Sequence, residues 1–343
     1  MRLSPRLWVL GCGFGAVLSA SIASAQPQAG APTGEGAAAD DDLVREADWP
    51  FTYKASLFSR GDVRERYLGV GLRDADSIRY RARLGLVSRP IDIGQVDLEL
   101  KFIPQASGIW NVGGDTLADP ALAMHEGSVA FGIPGYRLEV GRFEMVYGDH
   151  FVIGNVDWHE TGRSFDGIRL HTEDGKGAWL DYFVTLLDEG GGTAFARGDL
   201  FFLGAYAAVG EWIAPGLELD FYLLGQLRPE GDPLTQGKLA RGTLGARAKQ
   251  KMGALDYRVE VGAQAGIAGA ADVLAYQGDL EVGWFALPGL FRVALEGFFA
   301  SGDDPTTTGT DEGWDHLYPT AHKWLGFSDI MGGRSNLGGG VLH

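Results

Sequence analysis

The feature that most constrains this chain is a two-residue alternation of apolar and polar side chains, repeated in segments of about ten residues. Ile78, Tyr80, Ala82, Leu84 and Leu86 share one parity, and Arg79, Arg81 and Arg83 share the other. Val96, Leu98, Leu100 and Phe102 alternate with Asp97, Glu99 and Lys101. Leu255, Tyr257, Val259 and Val261 alternate with Asp256, Arg258 and Glu260. Side chains of a strand point to opposite faces at successive residues, so each segment predicts a strand with one apolar and one polar face. The 53 glycines in 343 residues, with no collagen period, supply the turns that many short strands need.

A soluble β-sandwich binding module would alternate in the same way, and the connections separate the two. Short turns are expected near Ser88-Arg89-Pro90, Ile133-Pro134-Gly135, Asp174-Gly175, Ala214-Pro215-Gly216, Met252-Gly253 and Leu287-Pro288-Gly289. Longer polar loops are expected near 104–121, 148–162, 188–199, 228–239, 266–271 and 301–318. Short turns on one rim and long loops on the other define a transmembrane antiparallel up-and-down β-barrel. A first strand at 51–59, a loop at 60–75 and six further hairpins give thirteen strands, with a short fourteenth near 336–342.

The N-terminus sets the compartment. Arg2 and Arg6, an apolar run over 7–22 and Ala23-Ser24-Ala25 read as a signal peptide, residues 1–25. A lipoprotein cut before Cys12 is the competing reading, and it would leave almost no apolar run behind Arg6. Residues 26–48, rich in Ala, Gly and Pro and closing on Asp40-Asp41-Asp42, read as a flexible acidic linker. Residues 49–343 form the barrel domain, placed in the outer membrane of a Gram-negative-type cell. The formal charge of −16 argues against nucleic acid as a partner. With Cys12 the only cysteine, a disulfide scaffold and a cysteine zinc site are excluded. His316 and His322 match no ligand spacing, so no metal and no cofactor is assigned.

Charge on a lipid-facing strand position costs about 2 to 4 kcal/mol near the midplane, so Arg79, Arg81 and Arg83 are expected to face inward. They read either as a rail for carboxylates or as partners of inward acids such as Asp97 and Glu99. Counted by parity, inward acids and bases are equal in number, so selectivity for anions would come from a local cluster around Arg79, Arg81, Arg83, Arg142 and Arg169. At Arg142 the apolar parity changes from Tyr136, Leu138 and Val140 to Phe143, Met145 and Tyr147, which predicts a bulge at Gly141. Arg163 and Asp166 flank Phe165 and are expected to fix a loop to the wall, with direct contact to the substrate as the alternative, so Arg163 joins the candidate pore-lining arginines. Trp49, Phe51, Tyr147, Trp158, Trp179, Trp212, Trp284 and Tyr318 fall near strand ends and suggest aromatic girdles. Asp149, His150, Asp157, His159, Glu160 and Ser164 are the set an outer-membrane hydrolase would draw on; loop polarity explains them more simply, and no catalytic residue is assigned.

The stretch Glu139-Val140-Gly141-Arg142-Phe143-Glu144-Met145-Val146-Tyr147-Gly148-Asp149, continuing through Trp158 to Gly162-Arg163-Ser164-Phe165-Asp166-Gly167-Ile168-Arg169, resembles the alginate export family of outer-membrane porins. Glu296-Gly297-Phe298-Phe299-Ala300-Ser301-Gly302-Asp303, with His316 to His322 after it, is similar to the same pattern. The resemblance spans most of residues 50–330. It implies an eighteen-stranded barrel with an arginine-rich lumen that passes an anionic uronic-acid polymer outward by facilitated diffusion. Lipid, the anionic polysaccharide or a small anionic solute, and periplasmic secretion components are the partners it implies, with uptake of small anions as the alternative. About fourteen strands are visible in this sequence, so the barrel domain is expected to be C-terminally incomplete.

Overall fold

The structure, a computed structural model, describes residues 49–64, 75–112, 117–189, 198–230, 237–287, 291–325 and 333–343. The signal peptide at 1–25, the Cys12 alternative and the linker at 26–48 lie outside the described residues, as do 65–74, 190–197, 231–236 and the turn residues 288–290.

Sixteen strands are described: β1 Phe51–Arg64, β2 Ala75–Ser88, β3 Ile91–Asp92, β4 Asp97–Asn111, β5 Leu117–Ile133, β6 Tyr136–Phe143, β7 Phe165–Glu173, β8 Trp179–Asp188, β9 Leu200–Ala208, β10 Glu218–Arg228, β11 Leu239–Met252, β12 Leu255–Ala268, β13 Ala271–Leu287, β14 Phe291–Ala300, β15 Thr310–Asp311 and β16 Leu337–Leu342. Only β3 and β15 are two-residue strands, and the other fourteen correspond to the strands read from alternation, β16 being the short last one. A single helical turn, α1, spans His322–Leu325. No described helix is long and apolar enough to cross a membrane.

The chain divides into two compact units, Met1–Arg89 with Lys101–His125, and Pro90–Leu100 with Glu126–His343. In the first, β1 pairs antiparallel with β2 from Phe51↔Ser88 to Arg64↔Ala75, and β2 pairs with β4 from Ser77↔Asn111 to Val87↔Lys101. In the second, β5 to β14 pair antiparallel in chain order and β16 lies beside β14. Short turns join β5 to β6, β7 to β8 and β11 to β12 on one rim, with Gly135, Gly175 and Gly253 supplying the positive φ that such reversals demand, and the longer β9-to-β10 connection on the same rim holds a 3-10 turn at Gly210–Trp212. The connections after β6 and β14 rise from the opposite rim.

Two expected loops are strands. Residues 104–111 belong to β4 and 117–121 to β5, because the inward residues there, Gln105 and Ser107, are polar and give the segment the hydropathy of a loop. The loop expected at 266–271 is a tight reversal at Gly269, with β12 running to Ala268 and β13 starting at Ala271.

The faces are the reverse of a soluble sheet. Leu223, Leu244, Leu274, Tyr276, Leu280, Trp284 and Leu295 are exposed, while Arg247, Arg258, Glu260, Gln264 and Asp279 of the same strands are buried. An apolar exposed face with a polar sheltered one fits hydrocarbon outside, and it rules out the sandwich reading. The apolar core is sheltered as well. It is built by the connections 144–164 and 301–325 folding back against the sheltered face of β6 to β10, where Met145, Tyr147, Phe151, Val152, Ile153 and Leu317 pack on Phe143, Phe165, Phe183, Phe202, Tyr206 and Tyr222.

Leu280, in the middle of β13, tests this orientation. Leu280→Arg is expected to destabilise the bilayer-inserted protein by about 2 to 4 kcal/mol, read from the denaturant midpoint of heat-modifiable gel migration; a loss below 0.5 kcal/mol would place Leu280 away from hydrocarbon.

Candidate functional site

In the first unit, the cross-strand rows Arg60↔Arg79, Phe58↔Arg81 and Ser56↔Arg83 align one face of β1 with the odd-numbered residues of β2. Among the described residues of the first unit this face carries Lys54, Arg60, Arg79, Arg81, Arg83 and Lys101 with Asp62, and Asp97 and Glu99 continue the parity of Lys101 along β4. Arg60 Nε and Arg79 Nε both donate to Asp62, at 2.6 and 2.8 Å. Arg83 Nε donates to the neutral amide of Gln105 at 2.7 Å, and the buried Arg81 guanidinium lies 5.0 Å from the Phe58 ring centroid. Glu99, expected as an inward partner of these arginines, instead accepts from Arg137 at 2.6 Å.

The second unit is balanced by ion pairs. Arg247, 2% exposed, donates to Asp149, Glu218 and Asp220. Arg258 faces Asp279, Glu281 and Glu296, and Arg292 faces Asp256 and Glu281. Glu281, Glu296 and His343 bring three metal-type ligand atoms within 4.8 Å of one another. Both carboxylates there already accept from arginine, so the group is an ion-pair knot.

The remaining predicted arginines separate into three roles. Arg142 is on the exposed parity of β6 with Leu138 and Val140, in a two-point pair with Asp166, and it does not face the sheltered side. The expected bulge at Gly141 is absent: pairing runs unbroken through Ser128↔Gly141 and Gly141↔Gly167. Phe143, Met145 and Tyr147 are inward and buried, since the alternation continues and the inward residues become apolar to meet the folded-back connections. Arg163 fixes a connection, as expected: its Nη1 donates to the backbone carbonyls of Gly154, Tyr318 and Pro319. Burial lowers its pKa to about 10, still protonated at neutral pH. Arg169 faces the sheltered side and donates to Glu139 at 2.5 Å.

The folded-back connections are joined to each other and to the wall. Ile153 and Tyr318 form a parallel bridge, with Gly154 N donating to Tyr318 O at 2.8 Å and Tyr318 N to Val152 O at 3.0 Å. Asp149 is the ionic latch, accepting from Arg247 at 2.6 Å and Lys249 at 3.2 Å. Burial alone would raise its pKa, but the bonds and charges of Arg247 and Lys249 outweigh this and hold it below the ordinary carboxylate value. Of the residues weighed for hydrolysis, His150 Nδ1 meets Thr320 Oγ1 at 3.2 Å and His159 Nδ1 meets Thr161 Oγ1 at 2.8 Å. Of the expected girdle, Trp49, Trp212 and Trp284 are exposed, whereas Tyr147 is buried and Trp179 and Tyr318 pack against the sheltered core.

Below this core lies a cavity of about 270 Å³ lined by Arg137 and Glu139 of β6, Arg169 and His171 of β7, Trp179 and Asp181 of β8, and Val146 and Tyr147. Arg137↔His171↔Asp181 is one cross-strand row and Glu139↔Arg169 the next. Sequence reading counted Arg137 only as an inward base and placed Trp179 in a girdle; it passed over His171, because the row exists only once the register of three strands is known.

The alginate export family model matches residues 74–340. The chain belongs to the alginate export family. Similar solved structures include Pseudomonas aeruginosa OccK11 (OpdR), at 12% identity and TM-score 0.51 over 81% of this chain and 69% of that one. Pseudomonas aeruginosa OccK2 (OpdF) in complex with glucuronate matches at 16% identity and TM-score 0.52, over 76% of this chain and 66% of that one. Pseudomonas aeruginosa OpdK with vanillate matches at 14% and 0.50, over 76% and 68%. The chain thus spans about two thirds of the length of these structures. A comparison with curated proteins gave no match. The fold is that of a transmembrane antiparallel β-barrel porin, the protein resides in the outer membrane, and it is a transporter and not an enzyme.

The latch is testable. Asp149→Asn is expected to weaken the hold on 144–164 by about 3 kcal/mol, seen as faster hydrogen exchange in that segment. Because the folded pKa is depressed, the Asp149 contribution is complete above the unfolded value near 3.9 and is lost as pH falls through the lower folded value. Protection, the exchange rate divided into its intrinsic value at each pH, should therefore be level from pH 7 to 5 and fall only in strong acid; an early fall near pH 6 would assign the latch to another group.

Proposed function

We propose that this porin passes anionic solutes by facilitated diffusion, with an alginate-like carboxylated polysaccharide as its leading substrate. The observation that carries the reading is the row of guanidinium groups across β1 and β2 in the first unit, Arg60 beside Arg79 with Arg81 and Arg83 following at every second residue. Arginine's fixed fork of donors pairs with carboxylate, and exchange between neighbouring arginines binds strongly enough to recruit a polyanion and weakly enough to release it. Arg79 and Arg83 are the contact groups. Arg81, buried against Phe58, adds its field without touching solute. Arg169 contributes in the second unit, while Arg142 and Arg163 are excluded by their pairing with Asp166 and with backbone carbonyls.

A second reading, passage of small ring carboxylates, is favoured by the glucuronate and vanillate held by two structural neighbours. Lipid covers the apolar face in either case, and the short-turn rim is where periplasmic secretion components would meet the pore.

Planar-bilayer conductance of the refolded chain tests the proposal. We expect anion-selective steps that an added polyuronate blocks, and an anion-to-cation preference falling toward unity in Arg79→Ala/Arg81→Ala/Arg83→Ala. Cation selectivity in the parent chain, or selectivity unchanged in the variant, would overturn it.

A further inference from the structure

We infer that the cavity beneath the folded-back connections, between β6, β7 and β8, is a binding subsite for a carboxylate-bearing six-membered ring. This rests on the anionic-solute reading above and assigns it a place in the second unit. By count the lining is balanced, two arginines against two acids, with His171 beside them. What the cavity presents is not balanced. Glu139 and Asp181 have side chains only 3% and 5% exposed. Glu139 accepts from Ser128 at 2.7 Å and from Arg169 at 2.5 Å. Asp181 accepts from Tyr147 Oη at 2.6 Å and engages His171 Nδ1 at 2.5 Å. The carboxylates thus lie behind the surface with their oxygens occupied, and the polar atoms left toward the cavity belong to the groups they orient.

Those groups are two guanidinium groups, an imidazole and an indole ring. Arg137 is 37% exposed and spends one arm on Glu99, so the rest of its five N–H donors remain for a ligand. Arg169 donates from Nη2 to Glu139, has Nη1 4.0 Å from Asp181 Oδ2 and its guanidinium 5.0 Å from the Phe143 ring centroid, and is 22% exposed. His171 is held between two carboxylates, its Nδ1 2.5 Å from Asp181 Oδ1 and its Nε2 3.9 Å from Glu173 Oε2. Trp179 gives the apolar wall, its ring fixed by stacking with Tyr147 at 6.0 Å and Tyr206 at 5.8 Å. Two guanidinium groups for a carboxylate and a flat apolar surface for a ring describe a ring acid, and the calorimetric probes separate a sugar acid from an aromatic one.

The test is calorimetry on the refolded full chain in detergent, which requires no conductance, with glucuronate, glucose and benzoate as probes. Glucuronate is expected to bind, glucose to bind at least tenfold more weakly, and Arg137→Gln to weaken glucuronate by about tenfold or more, with Arg137→Lys recovering part of the loss. Trp179→Leu should weaken glucuronate and benzoate alike. Heat-modifiable migration confirms that each variant is folded. Benzoate binding as tightly as glucuronate would support the subsite and make aromatic acids its source; glucuronate binding alone would support it and make sugar acids the source. Equal binding of glucose and glucuronate, or no effect of Arg137→Gln, overturns the subsite even if the pore proves anion-selective. Retained glucuronate binding in a pore without anion selectivity would instead overturn the transport reading.

Discussion

Hydrocarbon offers no hydrogen-bond partner, so a strand facing it must satisfy its backbone through its neighbours and turn every charge away. The rest of the structure follows from that constraint. It makes successive strands pair antiparallel over ten or more residues, as β11, β12 and β13 do, and it puts Leu274, Tyr276 and Leu280 on one side of β13 with Gln277 and Asp279 on the other. The polar residues so displaced accumulate on the sheltered face, where a charge without a counter-charge would be costly. The second unit answers with shared carboxylates: Arg247 touches three and Arg258 three, and Glu281 serves two arginines.

The same economy explains why a pore wall contains an apolar core. The connections 144–164 and 301–325 carry Phe151-Val152-Ile153 and Leu317-Tyr318, too short to be strands and too apolar to stay in water. They find cover only on the sheltered side, and the wall meets them with Phe143, Phe183, Phe202, Tyr206 and Tyr222 at inward positions. Arg163 and Asp149 then fix them, one through backbone carbonyls and one through Arg247 and Lys249. The narrowing of the sheltered space is therefore a folded element with its own core and latch.

How much of this was legible in the sequence depended on whether one strand sufficed. The alternation of β12 was visible in Asp256, Arg258 and Glu260, and the inward aim of Arg79, Arg81 and Arg83 followed from the cost of charge in lipid. The middle of β4 was hidden, because Gln105-Ala106-Ser107-Gly108 puts polar residues inside and small ones outside. At Arg142 the rule that apolar means outward failed, since Phe143, Met145 and Tyr147 point inward to a core made by a distant segment. Arg137, His171 and Asp181 are 34 and 10 residues apart in sequence, and only the register of β6, β7 and β8 makes them one row.

That row also shows why counting charges along a pore wall misjudges its selectivity. A buried carboxylate that accepts from its neighbours contributes little to what a passing solute meets, beyond orienting the donors in front of it. Glu139 and Asp181 turn Arg169, His171 and Tyr147 into fixed groups, and the cavity they back is lined by donors although its formal charge is near zero. In the first unit Asp62 engages both Arg60 and Arg79 and so holds two guanidinium groups side by side. In both places a carboxylate fixes the position of the guanidinium group beside it.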